Sequence, residues 1–264
     1  MTFLNGQAES ARQEAGEAAV LQVRNFCKSY RKVAAVSDLT FDLRPGEVLG
    51  FIGRNGAGKT TTMRCAAGIL KPTGGRILVA GADVQLKPIE AKSRLAYVPD
   101  EPRLFDALTV WEHLQFFAAA YRVENFENAA EQLLAEFELT HRRDTLCHDL
   151  SRGMRQKVAI CCALFHTPDL LMFDEPLTGL DPRGIRTIKD AVRSRAAGGA
   201  GVILSSHLLV LVEDLCTRYL IIDQGKQQFI GDISEARRLG SNLRENASLE
   251  ELFFEVTEAS TIAE

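Results

Sequence analysis

Two stretches near the start of the chain show the partial alternation of apolar and polar residues that is typical of half-buried β-strands. They run from Val20 to Phe26 and from Val36 to Leu43, and the turn-forming residues Pro45 and Gly46 follow the second stretch. This pattern predicts an antiparallel β region at the start of the domain.

Later apolar runs are of the buried-strand type. The run from Glu47 to Ile52 is followed by a glycine-rich loop and an apolar pattern from Thr60 to Leu70, which predicts strand, loop and helix. A further strand and turn are predicted over Arg76 to Gly81. Leu170 to Phe173 and Val202 to Leu204 are short apolar runs flanked by helical patterns. The alternation predicts an α/β fold with a parallel sheet.

A helical pattern separates two of these strands. Thr109 and Glu112 have the spacing of a capping box, which predicts a helix that runs to about Tyr121. A second amphipathic helix is predicted over Glu127 to Leu139, because apolar residues recur there at i, i+3, i+4 and i+7. We therefore expect residues 102–165 to form a helical sub-domain inserted between strands of the sheet.

The two ends of the chain differ from this central region. Residues 1–19 lack the basic and long apolar segments of a secretory signal and predict a flexible extension. Residues 236–264 predict a C-terminal helical segment, in which Ser248 and Glu251 form a second capping box. The domain between them is expected to span residues 20–235.

The composition excludes several classes of protein. The 264 residues are 46% hydrophobic and 25% charged, as in an ordinary globular protein and unlike disordered or fibrous chains. A net charge of −4 gives no reason to expect a nucleic-acid partner. The longest wholly apolar run, Val158 to Phe165, is far shorter than the ~20 residues of a membrane span. Six cysteines without metal-site spacing favour a cytosolic location.

The glycine-rich loop matches the phosphate-binding pattern G-x-x-x-x-G-K-[ST] and lies between a predicted strand and a predicted helix, as that motif requires. Glycines let backbone amides turn toward phosphate oxygens, and the helix N-terminus adds its positive dipole end. Lys59 supplies a positive charge, and Thr60 supplies a hydroxyl that can bind a metal. The candidate ATP-binding residues are Gly53, Arg54, Asn55, Gly56, Ala57, Gly58, Lys59, Thr60 and Thr61.

Two carboxylates end the apolar run at Leu170 to Phe173. Asp174 stands where a P-loop protein needs the aspartate that holds Mg²⁺. Glu175, the next residue, is the candidate general base that polarises water for attack on the γ-phosphate. On its own this pattern is equally consistent with a solvated acidic turn, but the P-loop in the same chain favours the catalytic interpretation.

The chain resembles the ATP-binding-cassette (ABC) ATPases from about residue 20 to residue 230. Leu150-Ser151-Arg152-Gly153-Met154 is similar to the family's L-S-G-G-Q signature and also precedes the acidic strand. Gly179-Leu180-Asp181-Pro182 is similar to the family's D-loop, and Ser205-Ser206-His207 to its switch histidine. Tyr30 resembles the aromatic residue that stacks on adenine. We therefore expect a P-loop NTPase fold of the ABC ATPase type.

Three residues depart from the family pattern. Arg152 replaces a glycine and Met154 a glutamine of the signature, which affects contact with the partner's nucleotide. Asp100 stands where the family has the Q-loop glutamine. Its carboxylate can still bind metal or water, so Asp100 joins Thr60 and Asp174 as a candidate metal ligand.

The resemblance implies an ATP-hydrolysing subunit that uses ATP and Mg²⁺, with Glu175, His207 and Lys59 as catalytic residues. It implies that two such domains, identical or different, pair head to tail, so that Ser151, Gly153 and Asp181 face the ATP of the partner protomer. Since the chain lacks an apolar run of spanning length, it would work with separate transmembrane subunits on the cytoplasmic face of the cell membrane.

The resemblance favours an exporter, because the Ser-Arg-Gly-Met signature and the Pro99-Asp-Glu-Pro102 segment are similar to those of single-domain export ATPases. The alternatives are a non-transport ABC ATPase and a regulatory nucleotide-binding protein without turnover. The absence of a base-reading [NT]-K-x-D motif argues against a GTPase. Arg103-Leu104-Phe105 and Trp111 suggest that residues 102–125 meet the membrane subunit, although Leu104 and Phe105 would equally well pack beneath the helices.

Overall fold

The computed structural model of the protein describes residues 19–207, 209–235 and 248–262. The predicted extension before residue 19 and most of the segment before the last helix lie outside these ranges. The strands are β1 (Leu21–Tyr30), β2 (Val33–Leu43), β3 (Val48–Ile52), β4 (Gly74–Val79), β5 (Ala82–Asp83), β6 (Leu95–Val98), β7 (Leu170–Asp174), β8 (Gly201–Ser205), β9 (Arg218–Asp223) and β10 (Lys226–Gly231). The α-helices are α1 (Lys59–Ala66), α2 (Pro88–Ser93), α3 (Val110–Tyr121), α4 (Phe126–Glu136), α5 (Arg152–Leu164), α6 (Pro182–Ala197), α7 (Leu209–Glu213) and α8 (Leu249–Ile262).

The strands form two sheets. The smaller sheet has the order β2-β1-β4-β5 and is antiparallel throughout. The larger has the order β10-β9-β3-β8-β7-β6, and its strands from β9 to β6 are parallel, whereas β10 is antiparallel to β9. The predicted antiparallel region and the predicted parallel α/β sheet are both confirmed.

The larger sheet is the middle layer of the molecule, and every residue of β7 is buried. Leu171 and Phe173 face the core shared with α3, α4, α5 and α6. Leu170 and Met172 face the opposite core, which is shared with the antiparallel sheet and α1. Because successive side chains of a strand point to opposite faces, a wholly apolar run such as residues 170–173 of β7 requires cover on both sides.

Helices α3, α4 and α5 lie in the chain between β6 and β7, which are neighbouring parallel strands. The capping box predicted before α3 is confirmed: Glu112 N–H donates to Thr109 Oγ1, and Thr109 N–H donates to the Glu112 carboxylate. Helix α4 ends at Glu136, three residues before the predicted end at Leu139, because Glu138 adopts a left-handed backbone with φ +58°.

The other helix ends follow the same rules. Helix α1 stops at Ala66 rather than Leu70, and Gly68 turns the chain with φ +64°. At the start of α8, Ser248 and Glu251 exchange the two hydrogen bonds of the predicted capping box. All six cysteines are free thiols. Among the described helices, none is both long enough and apolar enough to cross a bilayer.

The Thr109 cap can be tested by stability. We expect Thr109→Ala to lower the free energy of unfolding by about 1 kcal/mol, because the amide of Glu112 loses its acceptor. Urea denaturation followed by circular dichroism measures this. Gln115→Ala, at an exposed position in the middle of α3, is the control and should change stability by less than about 0.5 kcal/mol. Equal stability of the two variants would contradict a role for the cap.

Candidate active site

The P-loop connects β3 to α1, and two of its glycines are required by close backbone approaches. Gly58 precedes α1 with φ +108°, and a Cβ atom there would lie 2.8 Å from the Ala35 carbonyl oxygen. A Cβ atom on Gly53 would lie 2.5 Å from the Ile222 carbonyl oxygen. The loop is therefore pressed against β2 and β9, and larger residues at these two positions would displace it.

Lys59 lies folded over this loop. Its Nζ donates hydrogen bonds to the carbonyl oxygens of Gly53, at 2.6 Å, and Arg54, at 3.3 Å, and the residue is 6% exposed. Burial lowers the pKa of Lys59, whereas the charges of Glu175 and Asp174 oppose that shift. The ammonium group thus lies between the loop carbonyls and two carboxylates, where phosphate oxygens can replace the carbonyls as its acceptors.

Asp174 ends β7, and groups from both neighbouring strands hold its carboxylate. The Ser205 hydroxyl donates to Oδ1 at 2.7 Å, and the Tyr97 hydroxyl donates to Oδ2 at 3.2 Å. Burial and the nearby Asp174 charge raise the pKa of Tyr97 well above its usual value, so this hydroxyl stays protonated. Asp174 is consequently fixed in direction, with acceptor capacity left on both oxygens.

Glu175 turns sharply out of β7, with φ +51°. Its N–H donates to the backbone oxygen of Ser205 at 3.2 Å and to the Ser205 hydroxyl oxygen at 3.1 Å. The carboxylate accepts from the backbone N–H of His207 at 3.3 Å and lies 2.7 Å from the His207 ring Nδ1. The turn directs Glu175 toward the end of β8, and His207 holds one carboxylate oxygen there.

One open cleft of about 200 Å³ brings most of the predicted site residues together. Its lining residues are Ala35, Arg54, Asn55, Gly56, Gly58, Lys59, Thr60, Thr61, Asp100, Asp174 and Glu175. His207 reaches the cleft through its bond to Glu175. Tyr30 lies outside this lining at the end of β1, where it is 44% exposed and the Lys28 ammonium group is 5.0 Å from its ring centre.

The residues predicted to face a partner's nucleotide lie elsewhere on the chain. Ser151 is exposed and caps α5, since its Oγ accepts from the Met154 N–H at 3.4 Å. A Cβ atom on Gly153 would lie 3.1 Å from the Gly179 carbonyl oxygen. Asp181 caps α6 by accepting from the Gly184 N–H at 3.0 Å. None of these three predicted residues lines the cleft of Lys59.

The sequence did not assign a role in the site to Tyr97 or to the hydroxyl of Ser205. Tyr97 lies near the end of β6 and Ser205 ends β8, the two strands that flank β7. Polar residues at the carboxyl ends of parallel strands commonly meet a ligand. That rule could have selected both residues if the strand order had been known.

The donors near Lys59 fit Mg²⁺ bound together with a nucleotide. The described residues hold no group of three or more His, Cys, Asp or Glu side chains arranged as a metal site. Mg²⁺ commonly takes one or two protein oxygens and completes its shell with phosphates and water. The Thr60 hydroxyl and the Asp174 carboxylate, both in the cleft lining, supply such a set.

A second cleft of about 490 Å³ lies beside β6, between α1 on one side and α3 and α5 on the other. Leu104 lines it and also packs against the main core. Phe105 is 55% exposed and contacts the rings of His113 and Phe116. Trp111 packs against Phe126 and under the Arg143 guanidinium group, so much of its surface is covered within the chain.

Comparison with known proteins decides the family. The family model described as "ABC transporter" matches residues 36–178 of this chain. The chain belongs to the ABC transporter family. The fold predicted from the P-loop, the acidic end of β7 and the Ser151 segment is thus confirmed.

Individual members of the ABC transporter family match over most of the chain. The ABC-type transporter ATP-binding protein EcsA of Bacillus subtilis (strain 168) is 34% identical over 240 residues, which are 90% of this chain and 96% of EcsA. The SkfA peptide export ATP-binding protein SkfE of the same organism is 34% identical over 78% of this chain and 87% of its own length. A solved ATP-binding subunit of an ABC transporter has a TM-score of 0.86 at 36% identity and covers 90% of this chain and 99% of that chain.

These matches identify the chain as the ATP-binding and ATP-hydrolysing subunit of an ABC transporter. They do not favour the alternatives of a non-transport ATPase or a regulatory nucleotide-binding protein.

Lys59 provides a direct test of nucleotide binding. We expect Lys59→Ala to weaken ATP binding by about ten-fold or more, since a buried charged donor is lost from the phosphate site. Titration calorimetry on the purified chain measures the affinity. Lys92→Ala, which removes an exposed lysine of α2, is the control and should bind ATP like the parent chain. Unchanged affinity in Lys59→Ala would refute this role.

Proposed function

We propose that two ATPase domains of this type close over two ATP molecules and drive an exporter through separate transmembrane subunits. One observation carries the proposal. The P-loop cleft is open, and the exposed N-terminus of α5 at Ser151 lies outside its lining in the same chain. A helix N-terminus with free amides attracts phosphate. Each chain therefore supplies the P-loop half of one ATP site and the Ser151 half of the other.

In the proposed site the P-loop binds the phosphates of ATP. The amides from Gly53 to Thr61 surround the phosphate oxygens, and Lys59 exchanges its carbonyl acceptors for them. Mg²⁺, bound by Thr60 and Asp174, with Asp100 at the edge of the same cleft, would neutralise phosphate charge. Tyr30 offers an exposed ring for stacking on the adenine.

Glu175 and His207 carry out the proposed hydrolytic step. The Glu175 carboxylate is held by the backbone N–H and the ring of His207. Glu175 also lines the cleft that contains Lys59. It accepts a proton from the water that attacks the γ-phosphorus, as the bond to the leaving β-phosphate oxygen breaks. His207 is a positioning residue that keeps Glu175 in this direction.

The partner chain completes the proposed site. The Ser151 hydroxyl oxygen accepts a hydrogen bond from the Met154 N–H, and its proton remains available to donate to a phosphate oxygen. Gly153 allows the close approach of α5 to the Gly179 carbonyl. Asp181 holds the start of α6 next to this segment. Closure of the two chains by ATP and opening after hydrolysis would move the attached membrane subunits between two states.

The second cleft is the proposed contact with the membrane subunit. Phe105 and Phe116 are apolar side chains with 55% and 47% exposure, and each is adjacent in the chain to a residue that lines this cleft, Leu104 or Phe117. Exposed aromatic groups next to a cleft are typical of interfaces. The names of similar proteins, among them SkfE and a lipopolysaccharide export protein of Haemophilus influenzae, support export. The chain would then lie on the cytoplasmic face of the membrane.

Glu175→Gln tests the catalytic base. We expect ATP turnover to fall by two orders of magnitude or more, roughly the contribution of a general base, while ATP binding remains and a closed dimer accumulates. Phosphate release and light scattering with ATP measure the two effects. Glu127→Gln, at an exposed position of α4, is the control and should retain turnover. Undiminished hydrolysis in Glu175→Gln would rule out the assignment.

Phe105→Ser tests the membrane contact. We expect the basal ATPase rate of the isolated chain to stay near that of the parent, because Phe105 is half exposed, and stimulation by the co-purifying membrane subunit to fall several-fold. Leu104→Ser is a second variant that also perturbs the core. Leu86→Ser is the control, because Leu86 is 76% exposed and is not among the residues that line this cleft. A loss of basal activity with stimulation preserved would make these core residues and contradict the contact.

A further inference from the structure

Asp100 and Arg152, two of the three residues that depart from the family pattern, contact each other. Arg152 Nη2 donates to Asp100 Oδ1 at 3.2 Å, and the two groups form an ion pair. Asp100 follows β6, whereas Arg152 is the first residue of α5. The contact therefore joins the loop beside the P-loop cleft to the helix end that is proposed to face the partner's ATP.

Arg152 lies at the N-terminus of α5, where its positive charge destabilises the helix. The N-terminus of a helix is the positive end of its dipole, and the first turn of α5, which is fully described, contains no acidic residue. An anion from outside the helix is needed to stabilise an arginine there, and Asp100 supplies it in the single chain. The position of Arg152 thus suits an anionic ligand better than it suits the helix.

The side chain of Arg152 also lies against the loop that follows β7. Its Cδ and Nε atoms are 3.7 Å from the position that a Cβ atom on Gly179 would take. Ser151 precedes it, and Gly153 approaches the Gly179 carbonyl. Arg152 is therefore the neighbour of Ser151 in the first turn of α5, and its side chain lies along the Gly179 loop, on the surface proposed above to face the partner's ATP.

The ion pair is weak enough to exchange. The side chains of Arg152 and Asp100 are 57% and 47% exposed, and one hydrogen bond joins them. Solvent-exposed pairs of this kind contribute little to stability. A guanidinium group binds phosphate more strongly, because two parallel N–H donors meet two charged oxygens. A γ-phosphate presented by a partner would displace the Asp100 carboxylate from Arg152.

Asp100 has a competing ligand of its own. It lines the cleft with Lys59, Thr60 and Asp174, where the metal–nucleotide complex is proposed to bind. Mg²⁺ held there with the nucleotide would attract the Asp100 carboxylate, and Asp100 would then hold Arg152 less tightly. Occupation of one chain's own cleft would in this way release an arginine for the nucleotide of the other.

We propose that Arg152 is a phosphate-binding residue of the two-chain ATP site, and that Asp100 holds it in the single chain. The proposal rests on the ATP-closed dimer described above. It assigns a positive charge to a signature position at which the related family pattern has glycine. The charge of Asp100 at the Q-loop position is then its counterpart.

The experiment uses the full chain carrying Glu175→Gln, in which ATP-driven dimers accumulate. Light scattering measures the ATP concentration that gives half-maximal dimer. We expect Arg152→Ala to raise this concentration by about ten-fold, the loss of a charged hydrogen bond, and Arg152→Lys to raise it less. Calorimetry at chain concentrations below dimerisation should give an ATP affinity within about two- to three-fold of the parent, because the exposed pair that couples Arg152 to the chain's own cleft is weak.

Asp100→Asn tests whether Asp100 holds Arg152 away from the partner's nucleotide. We expect it to lower the ATP concentration for half-maximal dimer by a few-fold, and to lose this effect when Arg152→Ala is also present. Arg155→Ala is the matched control, because Arg155 pairs with Asp106 at 3.0 Å and joins the same loop to the same helix. If Arg152 served only to attach the loop after β6 to α5, Arg155→Ala and Arg152→Ala would change the ATP concentration for half-maximal dimer equally.

The outcomes separate the two proposals. If the Glu175→Gln chain forms no dimer with ATP, the dimer is wrong and the role of Arg152 falls with it. If that chain dimerises but Arg152→Ala needs no more ATP, the dimer stands and the role of Arg152 is overturned. An effect of Asp100→Asn on dimer formation that persists without Arg152, once any change in the single chain's ATP affinity measured by calorimetry is subtracted, overturns the holding role of Asp100.

Discussion

Parallel pairing of β3, β7 and β8 determines where the chemistry of this molecule takes place. Parallel strands carry their carboxyl ends to one edge of a sheet, so the P-loop, Asp174 and Ser205 emerge side by side although they are far apart in the chain. Cover on both faces keeps these strands buried and rigid. The loops at this edge are free to bind a ligand, because the strands below them supply the stability.

The antiparallel sheet has a more specific task than covering one face. Gly58 has no room for a side chain because Ala35 and Val36 of β2 approach it. The backbone N–H of Ser37 in turn donates to the carbonyl oxygen of Gly225, in the turn between β9 and β10, and Gly225 N–H donates to the Ala57 carbonyl oxygen. The phosphate loop is thus enclosed by backbone from three directions. A loop held in this manner presents its amides without a large loss of conformational entropy on binding.

Much of this arrangement is readable from the sequence, because it depends on local patterns. The P-loop, the acidic end of β7 and the capping boxes each occupy a few consecutive residues, and the wholly apolar strands have a distinct signature. Strand β6 has only four residues, and half of β10 is polar, so neither strand has a pattern as clear in the sequence. The bonds from Tyr97 to Asp174 and from Arg152 to Asp100 span 77 and 52 residues. Only the tertiary fold brings such groups together. From the sequence motifs alone, Asp100 and Arg152 are two unrelated differences from the family pattern.

The backbone of Glu175 links catalysis to the limits of stability. A left-handed conformation in a residue with a Cβ atom costs on the order of 1 kcal/mol, and the hydrogen bonds from its N–H to Ser205 maintain it. Glycine would adopt the same turn without strain but has no carboxylate. A glycine at this position would therefore remove the strain and the proposed catalytic base together. One torsion angle thus sets the stability of the fold against the proposed hydrolytic step.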